Sequence, residues 1–511
     1  MVFKVDSIAI IGAGPSGLAA LYEFLHTSKQ GVSSFGSKEP EEKAFEEIVV
    51  FEQKSNPGGV WAVPDEEKVS YLKDLYQYDS LQNILDSKEK SLQSAIRSYN
   101  SRIPLEVNKS DDSVSWKGTP LYKNLFTNIP KRFTRFSTSA YKAIGNGRPI
   151  DPFLRDFELR SHIQNYVSEH DLEKHIKFNT EVVKAVKKGD KWLLTLKYED
   201  KDTDKKEFYL KEFDAIVVAN GSYTLPYIPQ IEGLKEYEEA HPGSILHSKF
   251  FRDYEDYRNQ KIIILGSSVS GLALSQYLKP LAKEFILSRK NRKEILDWMN
   301  DIIYSKEVTV KSPIKRFIPS SKEIWFDDGT RAKDFDKILL ATGYYPYYPF
   351  FEKGFLSLSV PPEKKGPANN SRIKNLYYNI FKIDDPTLAF VGLIKTSQLF
   401  TGFESQSAAV AGIWSNAKQL PSLKEQYDWE LKKLEETPDT SRFYVFSNED
   451  VETKYFDRIK DFFPFARKYP LDENYYEHFE DFKIGEQKLA DLSLSIIRKK
   501  VVFENGEYIV K

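Results

Sequence analysis

The sequence predicts an α/β fold in which one parallel-sheet domain is inserted into another. The first observation is an apolar run at 7–11, followed by Gly-Ala-Gly-Pro-Ser-Gly at 12–17 and an apolar helical stretch. The second observation is the return of this pattern later in the chain, with an apolar run at 261–265 and Gly-Ser-Ser-Val-Ser-Gly at 266–271. A short buried strand that runs into a glycine-rich turn and a helix is typical of Rossmann-like dinucleotide-binding domains.

The first turn has glycine at the three positions where a bound pyrophosphate requires it. Gly12 allows the tight turn, Gly14 lets the backbone approach the phosphates, and Gly17 lets the helix pack closely on the strand. The next apolar strand ends on Glu52, which is placed to accept hydrogen bonds from a ribose hydroxyl. The spacing is longer than the usual distance of about 20 residues, and a polar stretch at 27–43 accounts for the difference as a predicted loop.

The second turn departs from this pattern at its middle position. Ser268 replaces the glycine there and places a side chain where the backbone should approach a phosphate. The following strand leads into Ser-Arg-Lys at 288–290, where the ribose-binding acid of an NAD site would stand. A hydroxyl and two cations suit the 2′-phosphate of NADPH. The alternative is a solvated basic loop that extends through 292–293.

A second internal repeat predicts how the two domains are connected. Residues 214–221 and 336–343 share one spacing, and each is an apolar strand that ends in Ala-x-Gly. Each strand is followed by a segment rich in tyrosine and proline, at 223–229 and 344–349, which is typical of a crossover between domains. The predicted boundaries are 1–222 for the first part of the outer domain, 223–342 for the inserted domain, and 343–511 for the return segment with a C-terminal extension.

The composition excludes several kinds of chemistry. The chain has no cysteine, so it has no disulfide, cysteine nucleophile or redox-active dithiol, and electron transfer requires a bound cofactor. The seven histidines form no HExxH-type pair, so no metal site is predicted. A net charge of -1 predicts no binding to nucleic acid. No apolar run is long enough for a transmembrane helix, so we expect a cytoplasmic protein and leave open peripheral contact with the endoplasmic reticulum membrane and a homodimer.

Four motifs occur in the order found in the flavin-containing monooxygenases, which the chain resembles from residue 5 to about residue 412. They are the first glycine turn, Asn-Pro-Gly-Gly-Val-Trp at 56–61, the segment 241–252, and Ala-Thr-Gly-Tyr at 341–344. The character of the chain is similar to that of the soluble microbial and fungal members.

The segment at 241–251 carries the most specific part of this resemblance. It reads His-Pro-Gly-Ser-Ile-Leu-His-Ser-Lys-Phe-Phe and is similar to the family sequence FxGxxxHxxx followed by Tyr or Phe, with His241 in place of the first Phe. The ending Phe-Arg, where Baeyer-Villiger monooxygenases carry Trp-Pro, favours the branch that oxidises sulfur and nitrogen. We expect His247 to have a structural role between domains rather than a catalytic one.

The resemblance implies FAD in the outer domain and NADPH in the inserted domain. Asn128 resembles the asparagine that the family presents to the flavin, and its amide can both donate and accept hydrogen bonds. The alternative for Asn128 is a turn asparagine before Pro130. Asn128 is the predicted catalytic residue. The predicted cofactor-binding residues are Gly12, Gly14, Ser16, Gly17, Glu52, Gly59, Trp61, Asn128 and Gln406 for FAD, and Gly266, Ser268, Ser270, Gly271, Ser288 and Arg289 for NADPH.

The implied reaction is the oxygenation of a small soft nucleophile, such as a thiol, thioether or amine, by O2 and NADPH through a C4a-hydroperoxyflavin. Three alternatives stay open: an uncoupled NADPH oxidase that releases H2O2, a Baeyer-Villiger-type monooxygenase, and a nucleotide-bound interaction module without turnover, which Ser268 favours. The charged and aromatic segment after residue 420 carries no motif to which a chemistry can be assigned.

Overall fold

The computed structural model describes residues 2–62, 80–96, 104–108, 118–139, 147–199, 203, 205–294, 296–470, 475–504 and 506–511. Within these residues, the helices of two turns or more are α1 (Pro15–Leu25), α2 (Leu81–Ile96), α3 (Asp156–Glu169), α4 (Leu234–Ala240), α5 (Val269–Leu278), α6 (Asp297–Ile303), α7 (Leu399–Trp414), α8 (Leu423–Glu436) and α9 (Tyr475–Ile497).

The strands belong to two parallel or mixed sheets and to smaller antiparallel sheets. In chain order they are β1 (Ser7–Ile11), β2 (Glu47–Phe51), β3 (Leu105–Asn108), β4 (Ile176–Lys177), β5 (Thr180–Lys188), β6 (Lys191–Glu199), β7 (Lys205–Phe213), β8 (Ala215–Val218), β9 (Ile245–His247), β10 (Lys261–Leu265), β11 (Glu284–Ser288), β12 (Val310–Lys311), β13 (Ile314–Ile318), β14 (Glu323–Phe326), β15 (Arg331–Lys333), β16 (Lys337–Leu340), β17 (Leu376–Tyr377), β18 (Phe381–Lys382), β19 (Leu388–Phe390), β20 (Val501–Glu504) and β21 (Glu507–Val510).

The first unit is built on a seven-stranded sheet with the order β17-β18-β19-β8-β1-β2-β4. Strand β1 lies inside this sheet and pairs in parallel with β2 and β8. Helices α1 and α7 cover one face, and the antiparallel sheet β3-β7-β6-β5 covers the other. Burial on both faces explains why β1, β2 and β8 are short continuous apolar runs rather than alternating ones.

The second unit is built on a five-stranded parallel sheet with the order β12-β11-β10-β16-β9. All of its strands come from residues 245–340, between β8 and β17 of the first sheet. The chain therefore leaves the first sheet after β8, builds the second sheet, and returns to the first sheet for β17, β18 and β19. This arrangement confirms the predicted fold class of two dinucleotide-binding units.

The C-terminal end of the chain departs from the predicted division, which placed all of 343–511 with the first unit. Helix α9 and the hairpin β20-β21 pack instead into the core of the second unit, where Leu489 and Ile496 join Ile262 and Leu272. The hydroxyl of Tyr508 donates to the carbonyl oxygen of Asn124 at 2.6 Å. The apolar face of α9 covers a surface of the second unit that its own residues leave uncovered.

A buried ion cluster fixes the segment before α9 to the first unit. The Nε of Arg467 donates to both carboxylate oxygens of Glu23 in α1, at 2.9 and 3.0 Å. Nearby, Glu404 of α7 accepts a hydrogen bond from the backbone N–H of Ser137 at 2.7 Å. Burial raises the pKa of Glu23 to about 7, although the charge of Arg467 opposes this shift.

We expect this cluster to make the stability of the protein depend on pH. Because the pKa of Glu23 in the folded chain exceeds its ordinary value of 4.5, the stabilising proton is fully bound at low pH and is lost as the pH rises through 7. The variant Glu23→Gln carries no titrating proton there. Between pH 5 and pH 8 the wild type should lose about 2 kcal/mol more free energy of unfolding than this variant, measured by denaturant titration. Equal losses in both proteins would contradict this account.

Candidate active site

The two glycine turns open into one cleft of about 1920 Å³ between the units. This position is expected, because ligands of α/β sheets bind beyond the carboxyl ends of the parallel strands. Tyrosines of the two crossover segments, 223–227 and 344–348, also line the cleft. The predicted residues that line it are Gly12, Gly14, Ser16, Glu52, Gly59, Trp61, Asn128, Gly266, Ser268, Ser270, Ser288 and Arg289.

The first turn is held by contacts that only glycine permits. The backbone of Gly12 has a φ of +104°, and a Cβ atom there would lie 2.7 Å from the carbonyl oxygen of Ala219. A Cβ atom at Gly17 would lie 1.9 Å from the carbonyl oxygen of Gly12. Gly17 therefore lies behind the cleft, where it sets the close approach of α1 to the turn.

Gly14 is a glycine for a different reason. Its backbone is extended, with φ -74°, and a Cβ atom would make only an ordinary contact of 3.5 Å with the Cα of Gly59. Helix α1 begins at the next residue, and no side chain caps its N-terminus. Pro15 has no N–H group and that of Leu18 donates to the carbonyl oxygen of Gly14, so Ser16 and Gly17 provide the N–H groups for a ligand at this turn. The free space over Gly14 and these donors fit the pyrophosphate of FAD.

Glu52 stands at the end of β2 with its carboxylate fixed beside the turn. One oxygen accepts a hydrogen bond from the backbone N–H of Ala13 at 2.8 Å, and the other accepts from that of Lys54 at 2.9 Å. Burial raises the pKa of Glu52, and the backbone donors oppose this shift. The remaining lone pairs of a carboxylate held in this way fit the ribose hydroxyls of an adenosine.

The second turn repeats the first in its backbone. Gly266 has a φ of +113°, and a Cβ atom there would lie 2.4 Å from the carbonyl oxygen of Ala341. A Cβ atom at Gly271 would lie 2.0 Å from the carbonyl oxygen of Gly266. The two Ala-x-Gly motifs of the sequence thus have the same structural role, because the carbonyl groups of Ala219 and Ala341 each pack against the first glycine of a turn. Ser268 takes the N-cap position of α5 without a capping hydrogen bond and is exposed in the cleft.

The residues predicted to read a 2′-phosphate are engaged with protein partners. The hydroxyl of Ser288 is buried and donates to the carbonyl oxygen of Ser312 at 2.8 Å. The Nε of Arg289 donates to the hydroxyl of Ser267 at 3.0 Å, and its Nη2 lies 3.3 Å from a carboxylate oxygen of Glu294. The sequence does not show these partners, because Glu294 lies beyond the segment where a ribose-binding residue is expected.

Asn128 lies on the wall of the cleft in a loop that its neighbours hold in place. The backbone N–H of Thr127 donates to the carbonyl oxygen of Leu154 at 2.7 Å. The hydroxyl of Thr127 accepts from the N–H of Leu154 at 3.1 Å and donates to the carbonyl oxygen of Ile129 at 2.8 Å. Within the described part of the chain, the half-buried amide of Asn128 makes no hydrogen bond. It is therefore available to a ligand.

Gln406, a predicted FAD-binding residue, does not line the cleft. It is fully buried on α7, where its amide oxygen accepts from the N–H of Gly392 at 2.8 Å and its amide nitrogen donates to the hydroxyl of Tyr455 at 2.7 Å. Gly392 lines the cleft and faces Ser16. A Cβ atom added at Gly392 would lie 3.2 Å from the Cβ atom of Ser16. The amide of Gln406 thus positions backbone that reaches the cleft.

His247 connects the two crossover segments. Its Nδ1 accepts a hydrogen bond from the N–H of Lys249 at 3.1 Å, so its Nε2 carries the proton and donates to the carbonyl oxygen of Gly343 at 3.0 Å. Burial lowers the pKa of His247 to about 3. The ammonium of Lys249 donates to the carbonyl oxygen of Tyr223 at 2.8 Å. These contacts support the structural role that the sequence analysis prefers for His247.

Two charged residues of the cleft wall carry no signal in the sequence. The side-chain ammonium of Lys395 makes no hydrogen bond or ion pair with the described residues, and the surrounding protein lowers its pKa by desolvation. Glu486 of α9 lies near Asp297 and Asp301, and burial together with these two charges raises its pKa to about 7. Lys395 follows Gly392 by three positions, and this spacing belongs to no motif that predicts a functional lysine. Glu486 lies on α9, which is outside all of the motifs described above.

The described ranges contain neither a candidate metal site nor a candidate membrane span. No group of three or more histidine, aspartate or glutamate side chains there is arranged to hold a metal ion. No helix there is both long enough and apolar enough to cross a membrane. The cellular location, membrane contact and oligomeric state expected from the sequence stay predictions.

The comparison with protein families agrees with this geometry. The family model described as FMO-like, flavin-binding monooxygenase-like, matches residues 108–321 and 290–471, which together exceed half of the chain. The chain belongs to the flavin-binding monooxygenase family. The monooxygenases of this family depend on FAD and NADPH, so the predicted family, enzyme class and cofactors are confirmed.

This monooxygenase is similar over most of its length to characterised relatives. It is 27% identical over 487 residues to the flavin-containing monooxygenase iboF of Amanita muscaria, covering 87% of this chain and 85% of that one. It is 27% identical over 433 residues to the trimethylamine monooxygenase of Pelagibacter sp. strain HTCC7211, covering 84% and 79%.

Solved structures share the fold of this monooxygenase. The crystal structure of Tmm from the same Pelagibacter strain superposes with a TM-score of 0.66 at 24% identity, covering 99% of this chain and 96% of that one. The S-allyl-L-cysteine S-oxygenase of Allium sativum gives a TM-score of 0.65 at 20% identity, covering 98% and 99%.

We expect Gly14→Ala to remove FAD without unfolding the monooxygenase. The new methyl group meets protein atoms only at ordinary contact distance, but it occupies the space over the turn that the pyrophosphate needs. The variant should therefore keep the secondary structure of the wild-type apoprotein and retain little flavin after purification, measured by absorbance and circular dichroism. Gly366→Ala is the control, because a Cβ atom there meets nothing within 4 Å. Full flavin content in Gly14→Ala would show that the pyrophosphate lies elsewhere.

Proposed function

We propose that this monooxygenase uses NADPH and O2 to oxygenate soft nucleophiles, namely amines, thiols and thioethers. The observation that carries the proposal is the convergence of three features on one cleft: the first glycine turn, the second glycine turn, and the amide of Asn128, which has no hydrogen-bond partner among the described residues. A reductant on the second turn and a flavin on the first would thus meet in a single cavity beside Asn128.

Bound FAD would supply the activation of O2 after its reduction by NADPH, because that chemistry belongs to the cofactor and not to the side chains of the protein. The protein binds the cofactor and positions its reacting end. The N-terminus of α1 and the space over Gly14 hold the pyrophosphate, and the carboxylate of Glu52 holds the ribose. Asn128 offers an N–H donor and a carbonyl acceptor to the oxygen atoms at the reacting end.

The walls of the cleft favour a reaction protected from water. Tyr344, Tyr347 and Tyr348 line it, and burial raises the pKa of Tyr344 and of Tyr348, so their hydroxyls stay neutral. Exclusion of water by such aromatic walls protects a reactive oxygen species from premature breakdown. The oxygen atom can then be transferred to a nucleophile that enters the cleft.

The substrate class rests on chemistry and on the relatives. A small electron-rich nitrogen or sulfur atom attacks an activated oxygen directly, so no nucleophilic side chain of the protein is needed. The trimethylamine monooxygenase relative acts on an amine, which supports amines as one class for this chain. The ending Phe251-Arg252 of the family motif supports sulfur and nitrogen oxidation over the Baeyer-Villiger reaction.

The proposal is tested with NADPH, O2 and two probes, trimethylamine and a small aryl methyl thioether. With at least one of the two probes, we expect the amount of N-oxide or sulfoxide formed to be close to the amount of NADPH that the enzyme consumes. If every probe left NADPH consumption unchanged, and H2O2 matched the NADPH consumed, the protein would be an oxidase rather than an oxygenase.

We expect Asn128→Ala to separate reduction from oxygen transfer. The variant should bind FAD and be reduced by NADPH at the wild-type rate, because the amide contacts neither turn. Product formation should fall by about 100-fold, the usual effect of removing one hydrogen-bond donor from a reacting oxygen, and H2O2 should replace the product. Asn165→Ala, an exposed substitution on α3, is the matched control. A wild-type product yield in Asn128→Ala would remove Asn128 from the reaction.

A further inference from the structure

The second glycine turn has a buried carboxylate beside it that the motif analysis does not single out. A carboxylate oxygen of Glu294 accepts a hydrogen bond from the hydroxyl of Ser267 at 2.6 Å. The side chain of Asn300 in α6 makes two hydrogen bonds to the backbone of Glu294. The amide oxygen of Asn300 accepts from the N–H of Glu294 at 3.0 Å, and the amide nitrogen of Asn300 donates to the carbonyl oxygen of Glu294 at 3.1 Å. Glu294 lines the cleft and is only 8% exposed.

The internal repeat of the fold gives this carboxylate a counterpart in the first unit. Gly12 and Gly266 are equivalent first glycines, so Ala13 and Ser267 are equivalent next residues. In the first unit the carboxylate of Glu52 accepts a hydrogen bond from the backbone N–H of Ala13, and in the second unit the carboxylate of Glu294 accepts one from the side-chain hydroxyl of Ser267. Gly12 donates to the carbonyl oxygen of Phe51 and Gly266 donates to that of Ser288, so Arg289 holds the chain position that Glu52 holds in the first unit. Glu294 brings a carboxylate to the same turn from farther along the chain.

The same carboxylate neutralises the cations that a 2′-phosphate would need. Arg289 is 5% exposed, and its guanidinium is bound to Glu294 at 3.3 Å and to Ser267 at 3.0 Å. The Nε of Arg292 lies 3.6 Å from the same oxygen of Glu294. A 2′-phosphate that approached these arginines would have to compete with a fixed negative charge, whereas a free 2′-hydroxyl would donate a hydrogen bond to it.

We propose that Glu294 is a ribose-facing acid in the second nucleotide site and that it allows this monooxygenase to use NADH as well as NADPH. The proposal rests on the assignment of the second turn to the nicotinamide cofactor. A carboxylate at this position favours the ribose of NADH, and the two arginines that it holds favour NADPH. The chain thus combines both recognition elements in one cluster.

The first test measures nucleotide binding to the FAD-loaded protein by calorimetry, with 2′,5′-ADP and 5′-AMP as probes that differ by the 2′-phosphate. The variant Glu294→Gln keeps an acceptor for Ser267 and Arg289 but removes the charge. We expect it to bind 2′,5′-ADP at least about ten-fold more tightly than the wild type and to bind 5′-AMP no more tightly. Glu284→Gln, which removes the same charge from the exposed start of β11, should leave both affinities unchanged.

Unchanged or weaker binding of 2′,5′-ADP to Glu294→Gln would overturn the proposal and leave Glu294 as a structural support for Arg289. If the FAD-loaded wild type bound neither probe, the proposal would fall together with the assignment of the second turn. A failure of oxygen transfer to a substrate would not affect this test, because nucleotide binding is measured without O2 and without a substrate.

A second measurement needs only the wild type and therefore does not depend on the folding of a variant. We expect NADH to support turnover with a kcat/KM within about 100-fold of that for NADPH, a smaller difference than a site without a ribose-facing acid would allow. A wild-type protein that oxidised NADPH and was inert towards NADH at millimolar concentration would contradict the proposal.

Discussion

The rest of the structure depends on the close approach of a helix to a glycine turn, which occurs twice. In each unit the last glycine of the turn lies against the carbonyl oxygen of the first, with no room for a side chain: Gly17 against Gly12, and Gly271 against Gly266. This contact presses the N-terminus of the helix against the carboxyl end of the central strand. The donors of the helix then point out of the sheet, towards a ligand with phosphates.

Both turns open into one cleft because the second unit is inserted between two strands of the first sheet. The two crossover segments pass close to each other, and His247 and Lys249 connect them through hydrogen bonds to Gly343 and Tyr223. The C-terminal helix α9 closes one side of this cleft and also belongs to the core of the second unit. The position of the second turn relative to the first is thus set by buried polar contacts and by a helix far along the chain.

The parts that the sequence predicts well are those in which the backbone itself imposes a residue type. A turn without room for a Cβ atom requires glycine, so both turns and both Ala-x-Gly strands are visible as repeats. The parts it misses depend on the choice of a tertiary partner. Nothing in the segment 288–290 shows that Arg289 turns inward to Glu294, and nothing in Gln406 shows that its amide is bound to Gly392 and Tyr455. The packing of α9 on the second unit is not predictable for the same reason, because the sequence of an amphipathic helix does not show which surface the helix packs against.

The proposed reaction requires that a nicotinamide cofactor bound at the second turn reduces a flavin bound at the first turn, within the same cleft. An anaerobic titration of the FAD-loaded protein with NADPH, followed by flavin absorbance, tests it most directly. We expect one equivalent of NADPH to bleach the bound flavin with no other protein or dithiol present. A flavin that stayed oxidised with excess NADPH would show that the two turns do not serve one reaction.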